Sequence, residues 1–324
     1  MSNSFKAFVI KEKNIFEIKN FKKEDLMDGN VFIKIAYSSF NFKDGLAISG
    51  KLPIIKNWPM IPGVDFVGKV LESSHKRFKK GDKVVLNGWG VGESHFGGFS
   101  QYARVNGDWL IHLPIKFNEE QSMIIGSAGY TASLCVLEII KKIKPNSGNV
   151  LVTGASGGVG SIAVNLLSKL NYKVVALSGK KVNFLKKLGA SKVLSRKDFK
   201  ITNSPLSSQK WSGCIDTVGG DILSTILTEM KYDGIIASTG LAKSHILNTT
   251  VFPFILRNIT LAGVDCVYAT YQKRIKAWKL LEDYMDIRIL EKIKRIKKLQ
   301  DLEKLSVDIL KGKLQGRTVI DVWS

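Results

Sequence analysis

The sequence is short of cysteine: Cys135, Cys214 and Cys266 stand far apart in 324 residues and form no CxxC or Cys/His cluster. That excludes a disulfide framework and a zinc knuckle, and leaves each thiol as a small buried apolar residue. Long apolar runs are absent too. Nothing approaches the roughly 20 consecutive apolar residues of a membrane span, and the opening MSNSFKAFVIKEKN lacks the apolar segment of a secretory leader. The expectation is a cytoplasmic chain with no membrane span. Acidic residues are scarce, 28 Asp plus Glu against 49 Lys plus Arg, for a formal net charge of +21. Such an excess is either Lys-rich solvated faces, a basic approach for a polyphosphate ligand, or an RNA-binding surface. With no aromatic stacking platform and no RNA-binding motif, no specific nucleic-acid partner is expected.

What is present is ample apolar material, 44% of residues, in a chain too long for one ordinary core. No repeat, low-complexity tract or Gly/Ser linker divides it. Up to about residue 120 short apolar runs broken by turn residues, FKAFVI, VFIKIAY, DFVGKV, DKVVLNG and FSQYARV, read as mainly β. From Ile143 the strands VLVT, KVVAL, SKVL, CIDTV, GIIAST and ITLAGV alternate with helical stretches, the pattern of a parallel sheet covered by helices. Residues 271–311 read as helical before a last strand, RTVIDV. The fold class is α/β. A β-rich domain spans residues 1–121 with 267–324, and a doubly wound domain spans 122–266.

The most informative stretch is VLVTGASGGVGSIAVNLL, Val150 to Leu167. A strand runs into Ala155-x-Gly157-x-x-Gly160, with Ala in place of the first glycine of G-x-G-x-x-G, and then into a helix with Val159, Ile162, Ala163, Leu166, Leu167 and Leu170 on one face. The small residue lets the strand turn, Gly157 lets backbone approach a pyrophosphate, and Gly160 lets helix and strand pack closely. Backbone N–H groups and the positive helix end face the phosphates. A dinucleotide is the expected ligand. An NAD site places an acid about 20 residues on, against the ribose 2′-hydroxyl. Here no Asp or Glu occurs from Gly160 to Lys197, and the second strand ends Ser178-Gly179-Lys180-Lys181. Ser178 with Lys180 and Arg196 suits a 2′-phosphate, at roughly 1.5–3 kcal/mol per charge-assisted bond, so NADPH is expected over NADH.

The runs NFKDGLAISGK, MIPGVDFVGKV, GWGVGESHFGGFSQYARV, SMIIGSAGYTA, VTGASGGVGS, CIDTVGG and PFILRNITLAGVD, in this order, resemble the medium-chain dehydrogenase/reductase superfamily. The resemblance is to its zinc-free quinone-oxidoreductase-like branch and, within that, the acryloyl-CoA reductase subgroup. It implies a GroES-like catalytic domain and a Rossmann domain that binds NADPH. It places cofactor contacts at Phe42, Ser156, Gly157, Gly158, Val159, Ser178, Gly179, Lys180, Arg196, Leu241 and Ile255. The family usually carries Tyr at position 42 and Arg at 180; Lys180 keeps the charge without the planar fork that suits phosphate. Zinc relatives carry Cys where this chain has Asn41 and His where it has Val64. Neither replacement offers a ligand that tetrahedral zinc selects, so no metal is expected.

With no metal to polarise an oxygen, hydride transfer suits an acceptor already activated by conjugation. The resemblance implies reduction of the C=C bond of an α,β-unsaturated acyl-CoA, acryloyl-CoA to propanoyl-CoA, with hydride delivered to the β-carbon. A quinone or enone reductase, and an RNA-binding relative of quinone reductases, are the alternatives. Donors against the thioester oxygen are sought in the FNFKD loop: Asn41 as donor, Lys43 and Asp44 as donor and proton relay. Each has a plain alternative, since Asn41 can cap a turn, Lys43 can lie in solvent and Asp44 can cap the following helix. His95 is either a further acid or a structural loop residue, and solvent can supply the proton. The basic residues Arg288, Lys292, Lys294, Arg295, Lys297 and Lys298 are read as one face of a helix whose Ile289, Ile293, Ile296 and Leu299 face the protein. The apolar strand Ile259 to Asp265, at the end of the parallel sheet, predicts a homodimer.

Overall fold

The computed structural model describes residues 4–13, 15–179 and 182–324. It separates into two compact units, one of residues 1–127, 266–275 and 290–324, the other of 128–265 and 276–289.

The first unit opens with a hairpin of β1 (Phe5–Glu12) and β2 (Ile15–Phe21). Then follow β3 (Val31–Phe40), α1 (Phe42–Ser49), β4 (Asp65–Ser73), β5 (Lys83–Asn87), β6 (Tyr102–Val105) and β7 (Leu110–His112). Strand β3 alternates as a half-buried strand should: Val31, Ile33 and Ile35 are fully buried in the core, while Lys34 is exposed. It ends one residue before Asn41, which caps α1.

Helix α2 (Glu119–Lys142) passes from the first unit into the second. Its length and mean hydropathy of 1.7 would allow a membrane crossing, but 83% of its most apolar stretch is buried inside the protein, as in a core helix. It is two helical stretches meeting at Gly126, whose φ of 50° and ψ of −162° break the turn.

The second unit runs β8 (Asn149–Val152), α3 (Gly158–Lys169), β9 (Lys173–Ser178), α4 (Val182–Lys187), β10 (Lys192–Ser195), β11 (Trp211–Asp216), α5 (Gly220–Thr228), β12 (Met230–Ser238), α6 (Phe252–Arg257) and β13 (Thr260–Gly263). Its six strands are all parallel, in the order β10-β9-β8-β11-β12-β13. Counted from β8 this is 3-2-1-4-5-6, the Rossmann order, which reverses between β8 and β11 and opens a crevice at the carboxyl ends of those strands.

The chain closes with α7 (Tyr271–Tyr284), α8 (Ile287–Ile293), β14 (Lys294–Lys298), α9 (Leu302–Leu310) and β15 (Arg317–Asp321). Strand β15 enters the first unit's sheet between β14 and β3, giving the order β14-β15-β3-β4-β5-β7 with β6 also on β3. Two expectations differ here. Residues 294–298 are not helical but pair in parallel with β15, from Lys294 opposite Arg317 to Lys298 opposite Asp321. Ile296 is the one apolar residue of that stretch and is 46% exposed, so no apolar face of helical period holds it in a helix. Residues 276–289, expected with the β-rich domain, group with the Rossmann unit. There Ala277, Trp278 and Leu281 are buried, and Ser133 Oγ donates to the Ala277 carbonyl at 2.7 Å.

Candidate active site

In the Rossmann unit the site is built on the turn after β8. Gly154 has φ +56°, and a Cβ there would collide with the Thr217 hydroxyl. The tight bend expected at Ala155 is therefore made one residue earlier, and Ala155 is a fully buried packing residue. Gly157 caps α3 with extended backbone, and a Cβ on Gly160 would lie 2.5 Å from the Gly154 carbonyl oxygen and 2.6 Å from Ala155 Cα. Only glycine lets the helix approach the strand so closely. Ser156, Gly157, Gly158 and Val159 are part-exposed at the helix N-terminus, where unpaired N–H groups and the helix dipole favour an anion.

Ser178, the last residue of β9, donates from Oγ to Ser156 Oγ at 3.0 Å. Its carbonyl accepts from Arg196 N at 3.0 Å, and the Arg196 guanidinium carbon lies 3.9 Å from where a Cβ on exposed Gly179 would stand. Among the described residues, serine hydroxyls, helix N–H groups and a guanidinium thus converge at the carboxyl ends of β8, β9 and β10, and the sequence from Gly160 to Lys197 supplies no Asp or Glu. That donor set fits a phosphorylated dinucleotide. Lys180 lies outside the described residues. Leu241, 46% exposed, follows β12 at the same edge of the sheet. Ile255 does not; it sits in the crossover helix α6 and is 68% exposed. One strand further on, the carboxyl of Asp216 is fully buried, accepts from Thr153 Oγ1 at 2.7 Å and Gly219 N at 2.9 Å, and is raised from its usual range by burial.

In the first unit, the FNFKD loop is the junction of β3 and α1. Asn41 is buried, and its side chain is committed: Nδ2 donates to Ser39 O at 3.2 Å, Ser39 Oγ at 3.1 Å and Asp65 Oδ2 at 3.2 Å, while Oδ1 accepts from Arg317 Nη1 at 3.1 Å. Phe42, the first residue of α1, is half-buried. Lys43 forms an ion pair with Glu93, whose side chain is 9% exposed. Asp44 accepts from Asn41 N at 2.8 Å and Val64 N at 3.1 Å, closing the capping box of α1. Complete burial, and then the neighbouring Asp65 carboxylate, push its carboxyl up to about 7. His95 is buried, with Nδ1 3.2 Å from Phe96 O and Nε2 3.1 Å from Asp28 O, its ring held between two backbone carbonyls.

Around these residues lies a buried network that the sequence reading did not single out. Arg317, 3% exposed, reaches Ile124 O, Asn41 Oδ1 and Ser39 Oγ; Ser39 and Ser127 then donate to Asp65. The signals were an arginine opening the last strand, RTVID, and a glycine interrupting the apolar SMIIGSAGY.

Two family models match the chain: the GroES-like domain of alcohol dehydrogenases over residues 27–115, and the zinc-binding dehydrogenase model over residues 158–283. A GroES-like unit followed by a Rossmann unit defines a medium-chain dehydrogenase/reductase. The probable acrylyl-CoA reductase AcuI of Escherichia coli is 45% identical over 314 residues, 96% of each chain. The acrylyl-CoA reductase AcuI of Ruegeria pomeroyi is 43% identical over 309 residues, 94% of each. The crystal structure of the yhdH oxidoreductase of Salmonella enterica in complex with NADP is 43% identical, with a TM-score of 0.94 over 98% of this chain and 99% of that one. The chain belongs to the acryloyl-CoA reductase subgroup of the superfamily's quinone-oxidoreductase-like branch.

The second model's description names zinc, but the residues at hand do not fit it. Positions 41 and 64 are an amide and an isopropyl group, and both oxygens of Asp65 and of Asp44 are taken by protein donors. Among the described residues no three His, Cys, Asp or Glu side chains gather to hold a metal.

Proposed function

We propose that this protein reduces the C=C bond of acryloyl-CoA to give propanoyl-CoA, with NADPH as the electron donor. The observation that carries this reading is 43–45% identity over at least 94% of the chain to two acrylyl-CoA reductases. The carboxylate-free cradle of the Rossmann unit supports the choice of nucleotide. Residues Ser156, Gly157, Gly158 and Val159 would hold the pyrophosphate, and Ser178, Gly179 and Arg196, with Lys180, the 2′-phosphate. Leu241, Ile255 and Phe42 are proposed as further cofactor contacts. Bound NADPH supplies a hydride to the β-carbon of the acceptor.

The chain's own residues then have to stabilise the charge on the thioester oxygen and bring a proton to the α-carbon. Lys43 is the proposed donor to that oxygen, held in place by Glu93. Asn41 is proposed to act by fixing the loop, because its amide hydrogens are already donated inside the protein. Asp44 is proposed to hold the first turn of α1. The excess of basic residues favours the approach of both polyanionic ligands, an effect that weakens with salt.

The protein is proposed to be a cytoplasmic homodimer. Strand β13 ends the parallel sheet, and beside it Val251, Phe252 and Leu256 are 44–65% exposed, an apolar surface that a second copy would cover. The function is tested by following NADPH oxidation with acryloyl-CoA, crotonoyl-CoA and a quinone, and identifying the acyl-CoA product. Propanoyl-CoA formed faster than any quinone is reduced is the expected result; faster quinone turnover overturns it.

A further inference from the structure

Arg317 opens β15 but is 3% exposed, although a guanidinium leaves water only at a cost of several kcal/mol. Its N–H groups point three ways: Nε to Ile124 O at 2.8 Å, Nη1 to Asn41 Oδ1 at 3.1 Å, Nη2 to Ser39 Oγ at 2.8 Å. The Ser39 hydroxyl passes the contact on to Asp65, 2.7 Å from Oδ2, and Asp65 also accepts from Ser127 N at 2.6 Å and Asn41 Nδ2 at 3.2 Å. Four separate segments meet there: the end of β3, the start of β4, the break in α2 and β15.

The socket is shaped for this cation. A Cβ on Gly126 would lie 2.5 Å from Arg317 Nη2 and would also overlap Ser39 Oγ, so the break in α2 exposes bare backbone where the guanidinium rests. Lysine has one nitrogen and no planar fork, and could satisfy only part of this set. The nearest charges facing the guanidinium are Asp65 and Asp44, on β4 and α1.

We propose that Arg317 is a positioning residue for the reaction: seated against Gly126, it fixes Asn41 and through it the Asn41–Phe42 backbone at which α1 begins. Its consequence for turnover rests on the function proposed above, in which this loop borders the reacting groups; its consequence for loop order does not. Arg317 is buried among protein groups and acts through Asn41. Removing it should leave the Rossmann cradle intact and disturb the loop.

The test uses the full-length protein with Arg317→Ala, Arg317→Lys and the milder Ser39→Ala. Amide hydrogen exchange over residues 41–49 should speed up about tenfold or more in Arg317→Ala, the equivalent of one lost hydrogen bond to a charged group. Exchange over residues 150–170 should not change. In acryloyl-CoA reduction kcat should fall by about a hundredfold, the cost of a displacement of about 1 Å at the reacting groups. Added guanidinium should restore much of it to Arg317→Ala, ethylammonium should not, and Arg317→Lys should remain impaired. If Arg317→Ala does not fold, Ser39→Ala is read by the same exchange and kcat measurements. Unchanged exchange over 41–49, or loss of thermal stability with kcat retained, overturns the proposal. A wild-type protein inactive on acryloyl-CoA refutes the proposed substrate, and the exchange measurement still decides the role of Arg317.

Discussion

Ser178 and Ser156 are joined through their hydroxyls at 3.0 Å, so the end of β9 and the turn that opens α3 form one continuous donor surface. Beside it, Gly179 has room for a side chain, because the nearest heavy atoms to a Cβ there belong to Arg196 at 3.9 Å. Gly179→Asp should bring a carboxylate against that guanidinium and supply the acceptor that a 2′-hydroxyl needs. The ratio of kcat/KM for NADPH over NADH should fall by about a hundredfold or more, the worth of two charge-assisted contacts at about 1.5 kcal/mol each. An unchanged ratio in steady-state assays would place the phosphate elsewhere.

The glycines of the turn should separate by role. In Gly160→Ala the new methyl meets backbone at 2.5 and 2.6 Å, so α3 has to move, at a cost of about 1–3 kcal/mol in denaturant unfolding. In Gly157→Ala the nearest atom is 3.2 Å away. That variant should lose little stability but raise the KM for NADPH, since its methyl intrudes on the cradle.

Lys43 and Glu93 should respond unequally to removal. Lys43→Met strands a carboxylate whose side chain is 9% exposed, costing about 2–3 kcal/mol. Glu93→Gln keeps an acceptor and leaves a lysine that is one-third exposed, for a loss of about 0–1 kcal/mol. Equal losses in thermal or chemical unfolding would show that stranding the buried Glu93 carboxylate carries no extra cost.

Asp44 sets a pH dependence. Its carboxyl is raised from 3.8 to about 7, so the folded chain holds this proton more tightly than the unfolded chain does. The associated stability is complete below pH 4 and is lost as pH rises toward 7, by up to about 4 kcal/mol. Unfolding free energies of the wild type relative to Asp44→Asn, measured from pH 4 to pH 8, should fall across that window. A flat difference would mean that Asp44 ionises as freely folded as unfolded.

The proposed dimer is open to a direct check. Val251 and Leu256 are 65% and 55% exposed, so lysine at both should cost the single subunit little. Light scattering should then report half the mass of the wild type. A wild-type mass already equal to one chain, 35.9 kDa, would remove the proposal.

Much of this fold was legible because its signals are local. The six parallel strands are short apolar runs set between helical stretches, and their order follows from the chain reversal that a glycine turn after β8 announces. Nucleotide preference was legible for the same reason, as a stretch without Asp or Glu next to Ser178. The misplacements occur where tertiary pairing decides. Residues 294–298 are four cations around one isoleucine, which carry no period of their own and take their form from β15. Gly154 and Ala155 are both small, and which of them bends is set by Thr217, 63 or so residues away, as in the Thr217 Oγ1 to Thr153 O contact. Arg317 escaped notice because it lies 276 residues from Asn41, and spacing along a chain carries no record of such a meeting.

That long return has a cost in time. A ribosome releases about 5–20 residues per second, and the cation for Asp65 and Asp44 is specified 252 and 273 positions after them. Until residues 317–321 emerge, β3 lacks one of its neighbours and two acids await their counterion. The Rossmann strands β8 to β13 need nothing from that late segment to complete their ladder. The nascent protein should therefore acquire its nucleotide platform first, and its reaction loop only as synthesis reaches β15.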